Sequence, residues 1–307
     1  MNSPFQARIA ASLDVATHPS VPAPVLAFAT RLAQQAGASA ALFYGSNLRT
    51  GSLEGVLDFY LLLPGPPESG IWPRVSYHEM DHGGIVLRAK VATMTLATFR
   101  QAAAGELLDT TIWARFVQPS ALVWCAGDGA RVAVEGAIGA AAITAARLAA
   151  ALGPAEGRAQ DYWRALFQAT YRAEFRVEKP GREDAILSAN AAHFEGLLPL
   201  ALEAGGIAVT AQGERIAPHL SASERTAILN WWRARAMTGK PYNFIRLLRA
   251  STTFEGAARY AAWKIERHTG VPVPLTPWRE KHPVLAAPAV LWRVWRHRAT
   301  TKWGAAK

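Results

Sequence analysis

"LFYGSNLRTGSLEGVLDFYLLL" (residues 42–63) is two apolar runs of strand length joined by a polar connector. Gly45-Ser46 closes the first run, and Asp58 opens the second. Two structures share that pattern. One is a plain β-hairpin in which the glycine makes a turn. The other is a loop that carries a nucleotide's phosphates opposite a metal-binding carboxylate. The second would use glycine for close backbone approach, with the serine hydroxyl and nearby N–H groups donating to phosphate oxygens.

The flanking sequence favours an α+β domain around this stretch. Residues 22–35 (PAPVLAFATRLAQQ) place apolar side chains at helical spacing and stop before Gly37. Residues 40–44 and 57–63 are strand-length runs, and PGPPESG (residues 64–70) is a loop. Residues 84–95 (GIVLRAKVATMT) predict a third strand, followed by a helix over 96–104. Residues 116–124 supply a further strand that Pro119 confines to an edge or bulge. The alanine-rich stretch 132–152 is interrupted by Glu135 and Arg147, so it reads as a packed helix rather than a membrane span. Beyond it the chain is mainly helical, including 155–170 and 221–237. This divides the chain into residues 1–150, 151–255 and 256–307.

At 307 residues the chain can bury two cores, and a half-hydrophobic composition with eleven tryptophans excludes disorder. Its one cysteine, Cys125, excludes an intrachain disulfide and a multi-cysteine zinc site, and a reducing, cytoplasmic setting is expected. The N-terminus has no basic head with an unbroken apolar core, so no signal peptide is expected. His78 and His82 have the i, i+4 spacing of a helical metal pair, but Gly83-Gly84 beside them argues against a helix.

The net charge of +10 is concentrated at one end. Residues 258–307 hold ten Lys/Arg against two acids, Glu266 and Glu280, and include Trp263, Trp278, Trp292, Trp295 and Trp303. Indole rings favour the headgroup level of a bilayer, and each cation near anionic lipid contributes about 1 kcal/mol. The pattern also suits a terminal helix packed on its own domain, or a single-stranded nucleic-acid surface.

Strand–Gly-Ser followed, about ten residues on, by a strand bearing Asp-x-Asp/Glu resembles nucleotidyltransferases of the DNA-polymerase-β type. In this chain Tyr60 stands two positions after Asp58 and Val56 two before, so the carboxylate pair is incomplete on the strand. Glu54 and Glu174 are the candidates to complete it. Further motifs, in common order, are similar to the mitochondrial-type phosphatidate cytidylyltransferase family, the peripheral CDP-diacylglycerol synthases. They are Tyr44-Gly45-Ser46 with Asp58-Phe59; a strand carrying Arg88 and Lys90; ATYRAEFRVE with Tyr171, Glu174, Phe175 and Arg176; and SANAAHFEGL with Asn190, His193 and Phe194. The basic region 246–264 falls where that family is rich in Ser, Arg and Lys, though the spacing differs.

The resemblance implies a nucleotidyltransferase-type mixed sheet, a helical, winged-helix-like second domain and a basic C-terminal membrane-docking segment. It implies that CTP and phosphatidate give CDP-diacylglycerol and pyrophosphate with Mg²⁺, at the inner face of the membrane. Asp58 would hold the metal; Tyr44, Gly45, Ser46, Arg88 and Lys90 would hold the nucleotide, with Ser46 and Lys90 joining Asp58 in catalysis. Glu174, Arg176, Asn190 and His193 would face the lipid phosphate. Nucleic acid is not an expected partner. The residues alone leave two other readings: transfer to another lipid phosphate (ceramide or polyprenyl), or a non-catalytic membrane- or nucleic-acid-binding protein on a decayed scaffold. Alternating positions on a strand put Arg88 and Lys90 on one face, with Leu87 and Val91 on the other.

Overall fold

A computed structural model describes residues 3–17, 21–70, 73–173, 182–253, 256–281, 286, 288–289, 292 and 296. In chain order the first part comprises α1 (Pro4–Leu13), α2 (Ala23–Ala36), β1 (Ala40–Tyr44), α3 (Ser46–Thr50), β2 (Leu57–Leu63), β3 (Arg74–His82), β4 (Ile85–Thr95), α4 (Leu96–Ala103), α5 (Thr111–Phe116), β5 (Ser120–Cys125) and α6 (Asp128–Leu152). Then come β6 (Gly157–Arg158), α7 (Ala159–Ala173), α8 (Arg182–Ala189), α9 (Ala191–Phe194), α10 (Leu197–Ala204), β7 (Val209–Gln212), β8 (Arg215–Pro218), α11 (Ala222–Thr253), α12 (Ala257–Thr269) and α13 (Pro277–Lys281). The protein is α+β, with a mixed five-stranded sheet in the order β3-β4-β2-β1-β5.

Local sequence explains the elements around the opening stretch. Helix α2 ends where Gly37 takes a left-handed conformation, φ 59°, and its N–H bonds back to Ala33 and Gln34. Strands β1 and β2 pair antiparallel with Tyr44 opposite Asp58. The connector is more than a turn: it folds into the one-and-a-half-turn helix α3. Buried Asn47 then donates its Nδ2 to the carbonyls of Ser52 and Glu54, at 2.8 and 2.9 Å, tying the returning loop to that helix. Strand β5 is an edge strand that begins directly after Pro119.

Residues 74–82 form β3, a strand the polar, histidine-containing sequence does not advertise. It pairs antiparallel with β4 through Gly83-Gly84, whose φ values of 63° and 83° are those of a tight two-residue hairpin turn. His78 sits on that strand with its Nε2 2.8 Å from Ser76 Oγ.

Alternation along the strands gives the sheet two different faces. One carries Ala41, Phe43, Leu57, Phe59, Leu61, Leu87, Ala89 and Val91 and packs beneath Val25, Phe28, Ala29 and Leu32 of α2. The other carries Leu42, Tyr60, Leu62, Ala92 and Met94 and packs with Phe99, Trp113, Phe116 and the alanine-rich α6. Helix α6 is long and apolar enough to cross a bilayer, yet twelve of its residues are buried in this core. Small side chains let neighbours lie close, as where Phe5 rests against Gly139. The same apolar cluster continues beyond residue 152 into Trp163, Phe167, Phe194, Leu198 and Trp232.

Two arginines of α11 fasten that helix to the first part of the chain. Arg225 donates to the carbonyls of Ala151 and Gly153, at 2.8 and 2.7 Å, satisfying the end of α6. Arg235 is buried, donates to the carbonyls of Leu107 and Gly105 at 3.1 and 2.7 Å, and lies 4.1 Å over the ring of Trp231. Desolvation pulls its pKa below the usual arginine value. Arg235→Met keeps the bulk but strands the Leu107 carbonyl and leaves the Gly105 carbonyl with the Trp231 indole N–H alone, at 3.2 Å. It is expected to cost about 2–3 kcal/mol, read as a lower midpoint in urea unfolding.

Candidate nucleotide site at the strand ends

Register alignment puts one row of side chains across the sheet: Tyr77 opposite Lys90, Lys90 opposite Asp58, Asp58 opposite Tyr44, and Tyr44 opposite Ser120. Register partners share a face, so Asp58 and Lys90 stand together, with Arg88 one repeat further along β4 on the same side. Leu87 and Val91 are buried on the opposite face.

Gly45 is the pivot of this site. Its φ of 91° and ψ of −163° lie in a region that side chains disfavour, and it precedes the first residue of α3. A Cβ placed there would lie 3.2 Å from Asp58 Oδ2. The glycine backbone therefore passes directly over the carboxylate. Both Gly45 and Ser46 are exposed, so a ligand can reach the backbone and the hydroxyl. Ser46 Oγ is 3.4 Å from Asn47 Oδ1.

Asp58 is half-buried, and desolvation raises its pKa; the positive charges of Lys90 and Arg115 oppose that rise without cancelling it. Arg115, on α5, donates from Nη1 to the Tyr44 hydroxyl at 2.9 Å. Its guanidinium lies over the rings of Tyr44 and Tyr60 at 5.1 and 6.0 Å. Burial pushes the Tyr44 phenol well above its ordinary value, so it stays a neutral hydroxyl. Tyr60 stands where a second strand carboxylate would be, and it is core: its ring packs on Tyr44, Phe99 and Phe116 at 5.6, 6.3 and 5.2 Å.

The other expected residues are placed differently. Arg88 pairs with Glu79 across β3 and β4 at 3.5 Å, and Glu79 also accepts from the Tyr77 hydroxyl at 2.8 Å. Glu54 is exposed on the connector. Asn190 precedes α9 and donates to the carbonyl of Ile186 at 2.9 Å, and His193 Nε2 lies 2.8 Å from the carbonyl of Val117. Neither residue stands in the Asp58 row of register partners. Glu174, Phe175 and Arg176 lie outside the described residues, as does most of residues 282–307.

Two contributors escaped the sequence reading. Arg115 sits in TIWARF, and a lone arginine among buried apolar neighbours was the available signal, since such residues need specific partners. Helix α12 is the other. Trp263 lies beside Arg88, with 5.4 Å from the guanidinium to the ring, and Tyr260 packs on Tyr77 at 5.5 Å.

Among the described residues no group of three or more His, Cys, Asp or Glu is gathered as a metal cage. Magnesium, however, commonly takes one or two carboxylates and completes its shell with waters and substrate phosphates. Asp58 beside an open glycine backbone fits that mode. No known protein family and no curated protein matches this chain.

Proposed function

We propose that this protein is a nucleotidyltransferase that converts CTP and phosphatidate into CDP-diacylglycerol and pyrophosphate at an anionic membrane surface. The observation that carries the reading is the Gly45 backbone lying over Asp58, at the end of β1 and against its antiparallel neighbour. Cations stand on the same face: Lys90 in register with Asp58, and Arg115 acting on its charge. The motif resemblance supplies the choice of CTP and phosphatidate. The order α6, β6, α7, then α8–α10, then the β7–β8 hairpin, with the small sheet running β6-β8-β7, is the order of a winged helix and supports the second domain that the resemblance implies.

The chemistry is in-line displacement. A phosphate oxygen of the lipid forms a bond to the α-phosphorus, the bond from that phosphorus to the α–β bridging oxygen breaks, and pyrophosphate leaves with the electron pair. The attacking phosphate is already ionised near neutral pH, so no strong general base is needed. Gly45 and Ser46 would donate to triphosphate oxygens, and Lys90 would offset the charge gathering on the leaving group. Asp58 would hold Mg²⁺, which when bound supplies Lewis-acid neutralisation of the phosphate oxygens. The test is pyrophosphate release from CTP in the presence of Mg²⁺ and phosphatidate vesicles, with ceramide phosphate and polyprenyl phosphate as competing acceptors. Release with phosphatidate alone supports the reading; equal release with all three would move the activity to lipid phosphates in general.

A second reading rests on Tyr60 and Lys90 standing where further carboxylates would be useful. In it the site binds phosphates without turning them over. CTP binding with no pyrophosphate release under any acceptor would favour it.

The location follows from the tail. The protein is proposed to be cytoplasmic and peripheral on the inner face, held by the basic, tryptophan-rich end, whose Trp278 and Trp292 are both more than half exposed. Binding to anionic vesicles should fall several-fold between low and physiological salt, and again on removal of residues 284–307, as measured by co-sedimentation. Equal binding to neutral vesicles at high salt would remove the electrostatic part of the account.

A further inference from the structure

The basic tail has a role in the nucleotide-site reading beyond attachment, because its first helix reaches the catalytic face of the sheet. Gly256, with φ 79°, begins α12 in close approach to β3: a Cβ there would lie 2.9 Å from the Tyr77 carbonyl oxygen. From that anchor Tyr260 packs on Tyr77, and Tyr260 and Trp263 stack with centroids 6.3 Å apart. Trp263 is flanked by two guanidinium groups, Arg88 at 5.4 Å and Arg267 at 5.3 Å. Arg267 extends to the connector ahead of Asp58, where its Nη1 would lie 3.3 Å from a Cβ on Gly55. Gly55 has φ 87°, so glycine is favoured there by the backbone as well as by that approach.

The charges are not all compensated alike. Arg88 has Glu79, and Arg259, at the start of α12, has Glu280 of α13 at 3.2 Å. Lys264 and Arg267 are exposed, and among the described residues neither has a carboxylate within ion-pair distance. Lys264 Nζ lies 5.7 Å from the ring of Tyr260, and Glu266 is the exposed acid on the same helix. The result is an aromatic shelf against Tyr77 and Arg88, with Arg267 reaching the connector and Lys264 one helical turn away beside Tyr260.

We propose that α12 is the outer wall of the Asp58 site and that Lys264 and Arg267 bind a phosphate group of the substrate. The ligand chemistry is a phosphate ester with two or more negative charges, either the nucleotide triphosphate or the phosphomonoester of the acceptor. An arginine fork beside a lysine suits such a group, and a guanidinium already stacked on indole loses little freedom on binding it. The assignment of the phosphate to a nucleotidyl-transfer substrate rests on the function proposed above; the anion site itself does not.

The test uses the full chain, the double variant Lys264→Ala/Arg267→Ala, and Arg267→Lys, each checked by thermal melting. Calorimetry measures affinity for inorganic tripolyphosphate, for CTP, and for dihexanoyl phosphatidate below its micelle concentration, so that membrane docking plays no part. The double variant is expected to bind at least one probe tenfold or more weakly at an unchanged melting temperature, with partial recovery in Arg267→Lys. Weakened tripolyphosphate and CTP would assign the nucleotide phosphates; weakened phosphatidate alone would assign the acceptor. Unchanged affinities for all three overturn the proposal, even if the wild type transfers nucleotide. Loss of tripolyphosphate binding in a protein that never transfers nucleotide leaves the anion site standing and removes the transferase reading. A wild type that binds none of the probes overturns both.

Discussion

Asp58→Asn is expected to lose nucleotide transfer while melting higher than the wild type at neutral pH. Removing a carboxylate that supports metal-held phosphates forfeits several kcal/mol of transition-state stabilisation, about a thousandfold in rate. The stability change has the opposite sign because of where the carboxylate sits. Its folded-state pKa is raised, with desolvation the leading cause and Lys90 and Arg115 only partly offsetting it. Between the unfolded and folded pKa values the folded chain holds more protons than the unfolded one, so stability falls as pH rises through that window. At neutral pH the ionised Asp58 is a cost, which asparagine does not carry. The gain should therefore be present at pH 7 and vanish below the ordinary aspartate range, and a pH series of melting curves on both proteins reads it. A variant that melts lower at pH 7 would mark Asp58 as a structural ion-pair partner instead.

Gly45→Ala is expected to fail for a steric reason, without removing any charged group. The residue sits at φ 91° and ψ −163°, and its new methyl would meet Asp58 Oδ2 at 3.2 Å. Strain of that kind costs on the order of 1–3 kcal/mol, and a displaced carboxylate or phosphate about a hundredfold in turnover. Steady-state kinetics together with a thermal melt separate the two effects. A Gly45→Ala protein with wild-type turnover would show that substrate does not approach this backbone.

Much of the architecture near the site was legible because it is local. Gly37 as a helix stop, the alternation that sends Leu87 and Val91 away from Arg88 and Lys90, and Pro119 before an edge strand each follow from one residue's chemistry. Strand β3 was missed because its exposed edge position permits polar residues, although Gly83-Gly84 is itself a hairpin signal. The site was only half legible. Asp58 and Gly45 are thirteen positions apart, and their proximity follows from pairing β1 with β2. Arg115 and α12 come from distant sequence, and nothing in their local pattern says which face of the sheet they meet. The contacts of Asn190 and His193 with the carbonyls of Ile186 and Val117 are likewise set by how the chain packs, and the local pattern does not announce them.

Under the proposed function, CMP moves from CTP to a lipid phosphate at Asp58. Label placed on the α-phosphorus of CTP, in the presence of Mg²⁺ and phosphatidate vesicles, reads this directly. The expected result is label in the lipid extract, one pyrophosphate released for each lipid-linked CMP, and neither product with Asp58→Asn. Label remaining in CTP or appearing only as free CMP, or lipid labelling undiminished in Asp58→Asn, would contradict it.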